Sequence, residues 1–307
     1  MLLFFFTKRY EIKIGIFYIL YYDIDNIVMK EEKKMSIKMI AVDMDGTFLD
    51  KDSHYNHERF ARLYKEMKEK GIRFVVASGN PYKNLTTAFQ DIKDECLYVC
   101  ENGGYILDGN EELYVARFDQ RDSDKIIEML ETMPHMLSWV CSKNQSYTLE
   151  TMSEEDFLEF LPYFPGVKRI EDYRLIEEPI LKVALYAKDG LVEEGITAFR
   201  NVVSDQVNVV DSGHNCIDLI PSHVNKGEGL RFLMERFGIE AEEVMAFGDA
   251  YNDFEMLKCV GYGYVMENAK EALKQEFQYI APSHNKEGVL EVIEYYFHHE
   301  KFLNLKK

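Results

Sequence analysis

The sequence is short of positive charge. Its 36 Lys and Arg face 54 Asp and Glu, a formal net charge of -18 over 307 residues. That balance argues against nucleic acid or an anionic membrane as partner. An acidic protein that takes an anionic substrate must build a local positive site from a metal, a lysine and backbone amides. Paired cysteines are missing as well. Cys96, Cys100, Cys141, Cys216 and Cys259 are odd in number and contain no Cys-x-x-Cys pair. Zinc and a disulfide framework are therefore not expected, and the reduced cytoplasm is the expected location. Long apolar runs are absent from the N-terminal stretch, where the uncharged run Ile14 to Tyr22 is too short to span a bilayer. Residues 1–34 also lack the order of basic region, apolar core and cleavage site that marks a signal peptide. No internal repeat or low-complexity tract is visible.

Residues 1–34 differ from the rest. They are rich in Phe, Ile, Tyr, Lys and Asn, the residues of A/T-rich codons, and Lys30-Glu31-Glu32 can be encoded by a ribosome-binding sequence ahead of Met35. The expectation is a non-native leader, disordered or artefactual, with Met35 as the native start; a membrane anchor is the alternative.

What is present is a hydrophobic content of 47%, enough for a sizeable core and for two domains. From Met35 onward strands and helices alternate. Lys38–Val42 reads as a strand, and His57–Lys70 as a helix with Phe60, Leu63, Tyr64 and Met67 on one face. Gly71 stops that helix, and Arg73–Ala77 and Leu97–Cys100 read as further strands. Such alternation predicts an α/β fold with a doubly wound parallel sheet. The stretch 118–221 changes character, with Pro134, Pro162, Pro165 and Pro179 among mixed elements. It reads as an α+β insert dividing a core of 35–117 and 222–307. Alternation resumes with the helix Lys226–Phe237 and the strands Val244–Phe247 and Tyr264–Met266.

Four motifs fall just after strands or at a helix start, where ligands of such sheets bind. The first is Asp43-Met44-Asp45-Gly46-Thr47. Gly46 permits a sharp turn that folds Asp45 back toward Asp43. Two carboxylates that close call for a shared proton or a hard cation such as Mg²⁺. An acidic turn or half a calcium loop would also place two Asp here, but the sequence continues Thr47-Phe48-Leu49 without further alternating acids. The second motif, Ser78-Gly79-Asn80, offers a hydroxyl, a flexible amide and a side-chain amide to phosphate oxygens; alone it is an ordinary turn. The third, Lys226 beside Gly227, puts a cation at a helix N-terminus, where free N–H groups also favour anions. The fourth is Gly248-Asp249 with Asn252-Asp253, which alone could be a helix cap.

In this order the motifs resemble the haloacid dehalogenase-like superfamily of phosphatases, in its Cof-type branch, across Met35–Lys307. Glu101-Asn102-Gly103-Gly104 and Asn285-Lys286-Glu287-Gly288-Val289 share the likeness, and the insert resembles a type IIB cap. The stretch Gly71-Ile72-Arg73-Phe74-Val75-Val76-Ala77-Ser78-Gly79-Asn80 is similar to the bacterial sugar-phosphatase subgroup. The resemblance implies that Asp43 is a nucleophile forming an aspartyl-phosphate and that Asp45 is the general acid and base. It implies Mg²⁺ held by the Asp43 carboxylate, the Asp45 carbonyl and Asp249. Ser78, Lys226 and the amides of Met44 and Gly79 would cradle the phosphoryl group, with Asn252 binding phosphate or orienting Lys226. Thr47, Asn80, Asn102 and Asp253 are expected to touch substrate or to support metal or lysine. Asn80 stands where many members carry Arg, and Glu267 where relatives often carry Gly. His214, in the segment 211–215, either faces the leaving group or is an ordinary loop histidine.

The implied function is hydrolysis of a small phosphate ester, most simply a sugar phosphate, by a monomer or homodimer without nucleic-acid or membrane partners. A phosphotransferase or mutase on the same core and a non-catalytic ligand sensor are the alternatives. The retained acid Asp45 favours hydrolysis.

Overall fold

Met39–Val42 forms strand β1, with all four side chains wholly buried. The computed structural model describes residues 36–306 apart from 144, 165 and 214. The expected leader at 1–34, a start at Met35 and any role of His214 lie outside the described residues. After β1 the strands are β2 (Arg73–Ala77), β3 (Leu97–Cys100), β4 (Tyr105–Asp108) and β5 (Glu111–Val115). Six follow in the insert: β6 (Met136–Ser142), β7 (Ser146–Leu149), β8 (Lys168–Ile170), β9 (Ile180–Ala187), β10 (Val207–Gly213) and β11 (Cys216–Pro221). The chain then returns with β12 (Val244–Gly248), β13 (Tyr262–Met266) and β14 (Tyr279–Ala281).

The core sheet runs β14-β13-β12-β1-β2-β3-β4-β5. Strands from β14 to β3 pair in parallel, and β4 and β5 add an antiparallel hairpin at one edge. The period of two divides each central strand between two cores. Ile40, Val42, Phe74, Val76, Met245 and Phe247 join the helices His57–Glu69 and Gly288–His299 on one face. Met39, Ala41, Val75, Ala77, Val244 and Ala246 join the helix Lys226–Phe237 on the other. Helices on both faces leave the strand C-termini as the open edge, and Asp43, Ser78 and Asp249 follow β1, β2 and β12 there.

The second sheet, β10-β11-β9-β6-β7-β8, belongs to the inserted cap region. The helices Gln120–Thr132 and Val192–Arg200 cover one of its faces through Ile126, Ile127, Leu130, Ile196 and Phe199. In the core sheet the structure adds β4, β5 and β14 to the strands read from sequence, and the antiparallel β4 and β5 make that sheet mixed.

Phe48, immediately after the first motif, anchors that loop in an aromatic cluster. Its ring centroid lies 5.2 Å from Phe60, 5.5 Å from Phe89 and 6.0 Å from Phe74. Phe74→Ala is expected to cost about 3–5 kcal/mol of stability, measured as a lower urea midpoint at unchanged m-value. A cost below about 1 kcal/mol would mean that this cluster does not fix the loop.

Among the described residues, no helix is long and apolar enough to cross a membrane, and none of the five cysteines forms a disulfide.

Candidate active site

Asp43 continues the ladder beyond β1, its N–H bonded to Phe247 O at 3.0 Å, so its carboxylate projects from the sheet edge. Lys226 opens its helix behind the N-cap Asn225 and is wholly buried. Its Nζ donates to Asp43 Oδ1 and to Asp253 Oδ1, both at 2.6 Å. The other oxygen of Asp253 accepts from the N–H groups of Asp249 (3.0 Å) and Ala250 (3.1 Å). Asp253 therefore ties the third motif to the fourth. Asp249 Oδ1 accepts from Thr47 Oγ1 at 3.2 Å, which ties the fourth to the first.

The acids gathered with Asp43 come from the fourth motif. Gly46 has φ +78°, and a Cβ there would lie 2.5 Å from Asp249 Oδ2. The turn leaves the Asp249 carboxylate room beside the first motif. Asp45 is exposed, and its Oδ2 accepts from Asn80 Nδ2 at 2.9 Å. Asp43, Asp249 and Asp253 are the crowded acids, with carboxylate oxygens all within 4.8 Å of one another.

Burial, reinforced by Asp253 and Asp249 and opposed by Lys226, pushes the Asp43 carboxyl up to about 7. Asp249 is raised by burial and by Asp253, against its hydrogen bond from Thr47. Burial works against the Lys226 ammonium, yet Asp43 and Asp253 outweigh it and hold the amine charged. Three carboxylates meet one ammonium, and the lack of a Cβ at Gly46 leaves room for the Asp249 carboxylate among them. That donor set, all hard oxygen, fits a divalent cation such as Mg²⁺.

The second motif packs beside this cluster. Ser78 is buried, and its Oγ accepts from Asn80 N at 3.1 Å. Asn102 N–H donates to Ser78 O at 3.0 Å, and Asn102 Oδ1 accepts from Asn252 Nδ2 at 3.2 Å. Gly79 lies against the Asn102 amide, where an added Cβ would sit 3.1 Å from Nδ2. Met44 is buried and its carbonyl accepts from Leu49 N at 2.9 Å, closing the first loop. The structure thus gathers Asp43, Lys226, Asp253, Asp249 and Thr47 in one linked cluster, and Asp45, Asn80, Ser78, Gly79, Asn102 and Asn252 at its mouth. Sequence reasoning missed Asn268, which donates to Gly46 O at 2.8 Å and accepts from His284 N at 3.1 Å. It also missed Glu101 and Lys182, an ion pair joining core to cap at 3.4 Å. The one available signal was a lysine inside the apolar run of β9.

The haloacid dehalogenase-like hydrolase family matches residues 40–293. The chain belongs to that family. Within it, the 5-amino-6-(5-phospho-D-ribitylamino)uracil phosphatase YbjI of Escherichia coli is 38% identical over 266 residues, covering 87% of this chain and 98% of that protein. The phosphatase of the same name YcsE from Bacillus subtilis is 24% identical over 269 residues, 87% of this chain and 98% of its own. The crystal structure of SMU.1108c from Streptococcus mutans superposes with a TM-score of 0.76 at 34% identity, covering 86% of this chain and all of that one. This haloacid dehalogenase-like hydrolase is of the Cof type, and its aspartate cluster is that of a phosphatase dependent on a divalent metal. The likeness to the sugar-phosphatase subgroup is not specific, since several similar relatives are named for a pyrimidine-bearing phosphate ester.

Proposed function

We propose that this phosphatase hydrolyses small metabolites phosphorylated on a sugar or sugar-alcohol carbon, through an aspartyl-phosphate on Asp43. The observation that carries the reading is the different setting of two acids two residues apart. Asp43 is buried against Lys226, and Asp45 is exposed and held by Asn80. An oxygen of Asp43 attacks phosphorus as the bond to the ester oxygen breaks, and Asp45 gives that oxygen its proton. Water then attacks the phosphoryl group and passes a proton to Asp45, so that Asp43 and inorganic phosphate separate. Asp43, Asp249 and the Asp45 carbonyl would hold Mg²⁺, which would supply charge neutralisation between the ester and the carboxylates. Both Asp253 oxygens are already engaged, so Asp253 positions Lys226 and the 249–250 backbone. Lys226, the Ser78 hydroxyl and the amides of Met44 and Gly79 stabilise the charge that develops on the phosphoryl oxygens. Asn252 and Asn102 brace this mouth, and Thr47 orients Asp249.

The sugar expectation and the names of the relatives meet in one chemistry. A phosphoribitylamino-uracil is a phosphorylated sugar alcohol carrying a pyrimidine, so the proposed substrate class includes that ester.

The test is phosphate release from 5-amino-6-(5-phospho-D-ribitylamino)uracil, ribitol 5-phosphate, hexose 6-phosphates and cofactor phosphates. At least one sugar or sugar-alcohol ester is expected to reach kcat/KM of about 10⁴ M⁻¹s⁻¹ or more. Chelation should abolish release, and excess Mg²⁺ should restore it. No release from any ester by folded protein would overturn the reading, as would transfer of the phosphoryl group to an acceptor sugar in preference to water.

A further inference from the structure

One face of the cap sheet is covered only in part, by the short helix Glu154–Phe160, whose Phe160 ring lies 4.8 Å from Trp139 and from Tyr186. Val183, Leu185 and Ala187 of β9 pack with the cap helices, so alternation turns Lys182, Ala184 and Tyr186 to the other face. Register places Cys141 opposite Lys182, and Trp139 and Asp218 on either side of Ala184. From this row Lys182 reaches the core, its Nζ 3.4 Å from Glu101 Oε2. Glu101 is 8% exposed, and that oxygen accepts no hydrogen bond. Glu101 and Asn102 hold φ of +50° and +55°, a backbone state that side-chain-bearing residues rarely adopt and that concentrates at functional sites. A buried carboxylate oxygen whose paired ammonium stands 3.4 Å away gains from a closer donor.

Glu101 and Lys182 line a cavity of about 390 Å³ that begins at Gly79 and Asn80, beside the Asp45 carboxylate. Tyr163, Phe164 and Lys182 also line a second cavity of about 650 Å³ with Trp139, Phe160 and Tyr186. Trp139 and Phe164 stack at 4.8 Å and 6°. Tyr163, by contrast, is 73% exposed, a large ring with one side unfilled.

We propose that this wall selects the leaving group: Lys182 donates to, and Glu101 accepts from, adjacent C=O and N–H groups of a planar ring that lies against Tyr163 and Phe164. The inference rests on the phosphatase reading above, with the ring on the leaving group of the same ester. Sugar hydroxyls could satisfy the charged pair, but they would leave the aromatic surface wet. A flat heterocycle with an amide edge satisfies both, since aromatic rings favour offset stacking and pocket polar groups fix orientation. Burial opposes the charge on Lys182, but Glu101 and Asp218 outweigh it, so the amine stays a donor.

The full chain should be assayed with 5-amino-6-(5-phospho-D-ribitylamino)uracil and with ribitol 5-phosphate, which share the phosphorylated chain and differ by the ring. The ring-bearing ester is expected to win by about tenfold or more in kcat/KM. Tyr163→Ala, at an exposed position, should cut that ratio about three- to tenfold. Glu101→Gln should cut it about tenfold, chiefly through KM for the ring-bearing ester. Equal use of both esters, or preference for ribitol 5-phosphate, overturns the inference and leaves the phosphatase standing. A fall that is the same for both esters in both variants also overturns it, because Glu101 and Lys182 would then be only a strut between cap and core. Release from neither ester removes this inference, and the rest of the panel then decides the phosphatase reading separately.

Discussion

Asp43→Asn is expected to abolish Mg²⁺-dependent phosphate release, by a factor on the order of 10⁴ or more, in a protein that stays folded. The carboxamide has the same shape and keeps an oxygen for the Lys226 ammonium, which lies 2.6 Å from the native carboxylate. It cannot attack phosphorus to give an acyl phosphate. The stability of the metal-free protein separates this chemistry from unfolding. Burial, helped by Asp253 and Asp249, lifts the Asp43 carboxyl from 3.8 to about 7 in the folded chain. Between those values the native state binds more protons than the unfolded one, so stability falls as pH rises through that window. The penalty is complete above about pH 7, and the Asn variant lacks it. With chelator present, Asp43→Asn should therefore gain in Tm relative to wild type on going from pH 4 to pH 8. Thermal melts at the two pH values, beside the phosphate assay, check both halves. An inactive variant that melts far below wild type at pH 8 would show only that the site had collapsed. A variant that kept a tenth of the activity would remove Asp43 as nucleophile.

The parts of this molecule legible in sequence are those whose signal is local. β1 announces itself because Met39–Val42 is buried on both faces, and its end is marked by Asp43 and Gly46. The helix His57–Glu69 shows its apolar stripe, and Phe60, Leu63, Tyr64 and Met67 are its buried residues. β14 is three residues long, too short for any period to register. The β4–β5 hairpin turns at Gly109-Asn110, a turn signal obscured by the exposed acids of Glu111–Val115.

In the site, the four motifs were visible as short strings, whereas the partner of each acid was not. Which carboxylate crowds Asp43 depends on the positive φ of Gly46 and on Asp249, two hundred residues away in sequence. Asp253 has a defined place only because Lys226 and the 249–250 amides converge on it. Glu101 and Lys182 meet only after the cap docks on the core, and no local pattern encodes that contact.

Lys226→Met should be the second severe lesion, and its two effects have separate causes. Lys226 is wholly buried and is the ammonium between Asp43 and Asp253. Removing one partner of a buried pair while leaving the others costs about 3–5 kcal/mol, here read on the metal-free protein by urea unfolding. Phosphate release should fall by a factor on the order of 10³, since a charge aimed at the developing phosphoryl oxygens is lost. Adding Asp253→Asn to Lys226→Met removes one stranded carboxylate. The double variant should recover part of the stability and none of the activity, a coupling that a double-mutant cycle measures directly. Recovery of activity together with stability would show that the lysine serves only to neutralise Asp253. Recovery of neither would show that Asp253 acts mainly through its bonds to the Asp249 and Ala250 amides. The expected split follows from the geometry, in which one ammonium both balances buried carboxylates and stands where phosphate must bind.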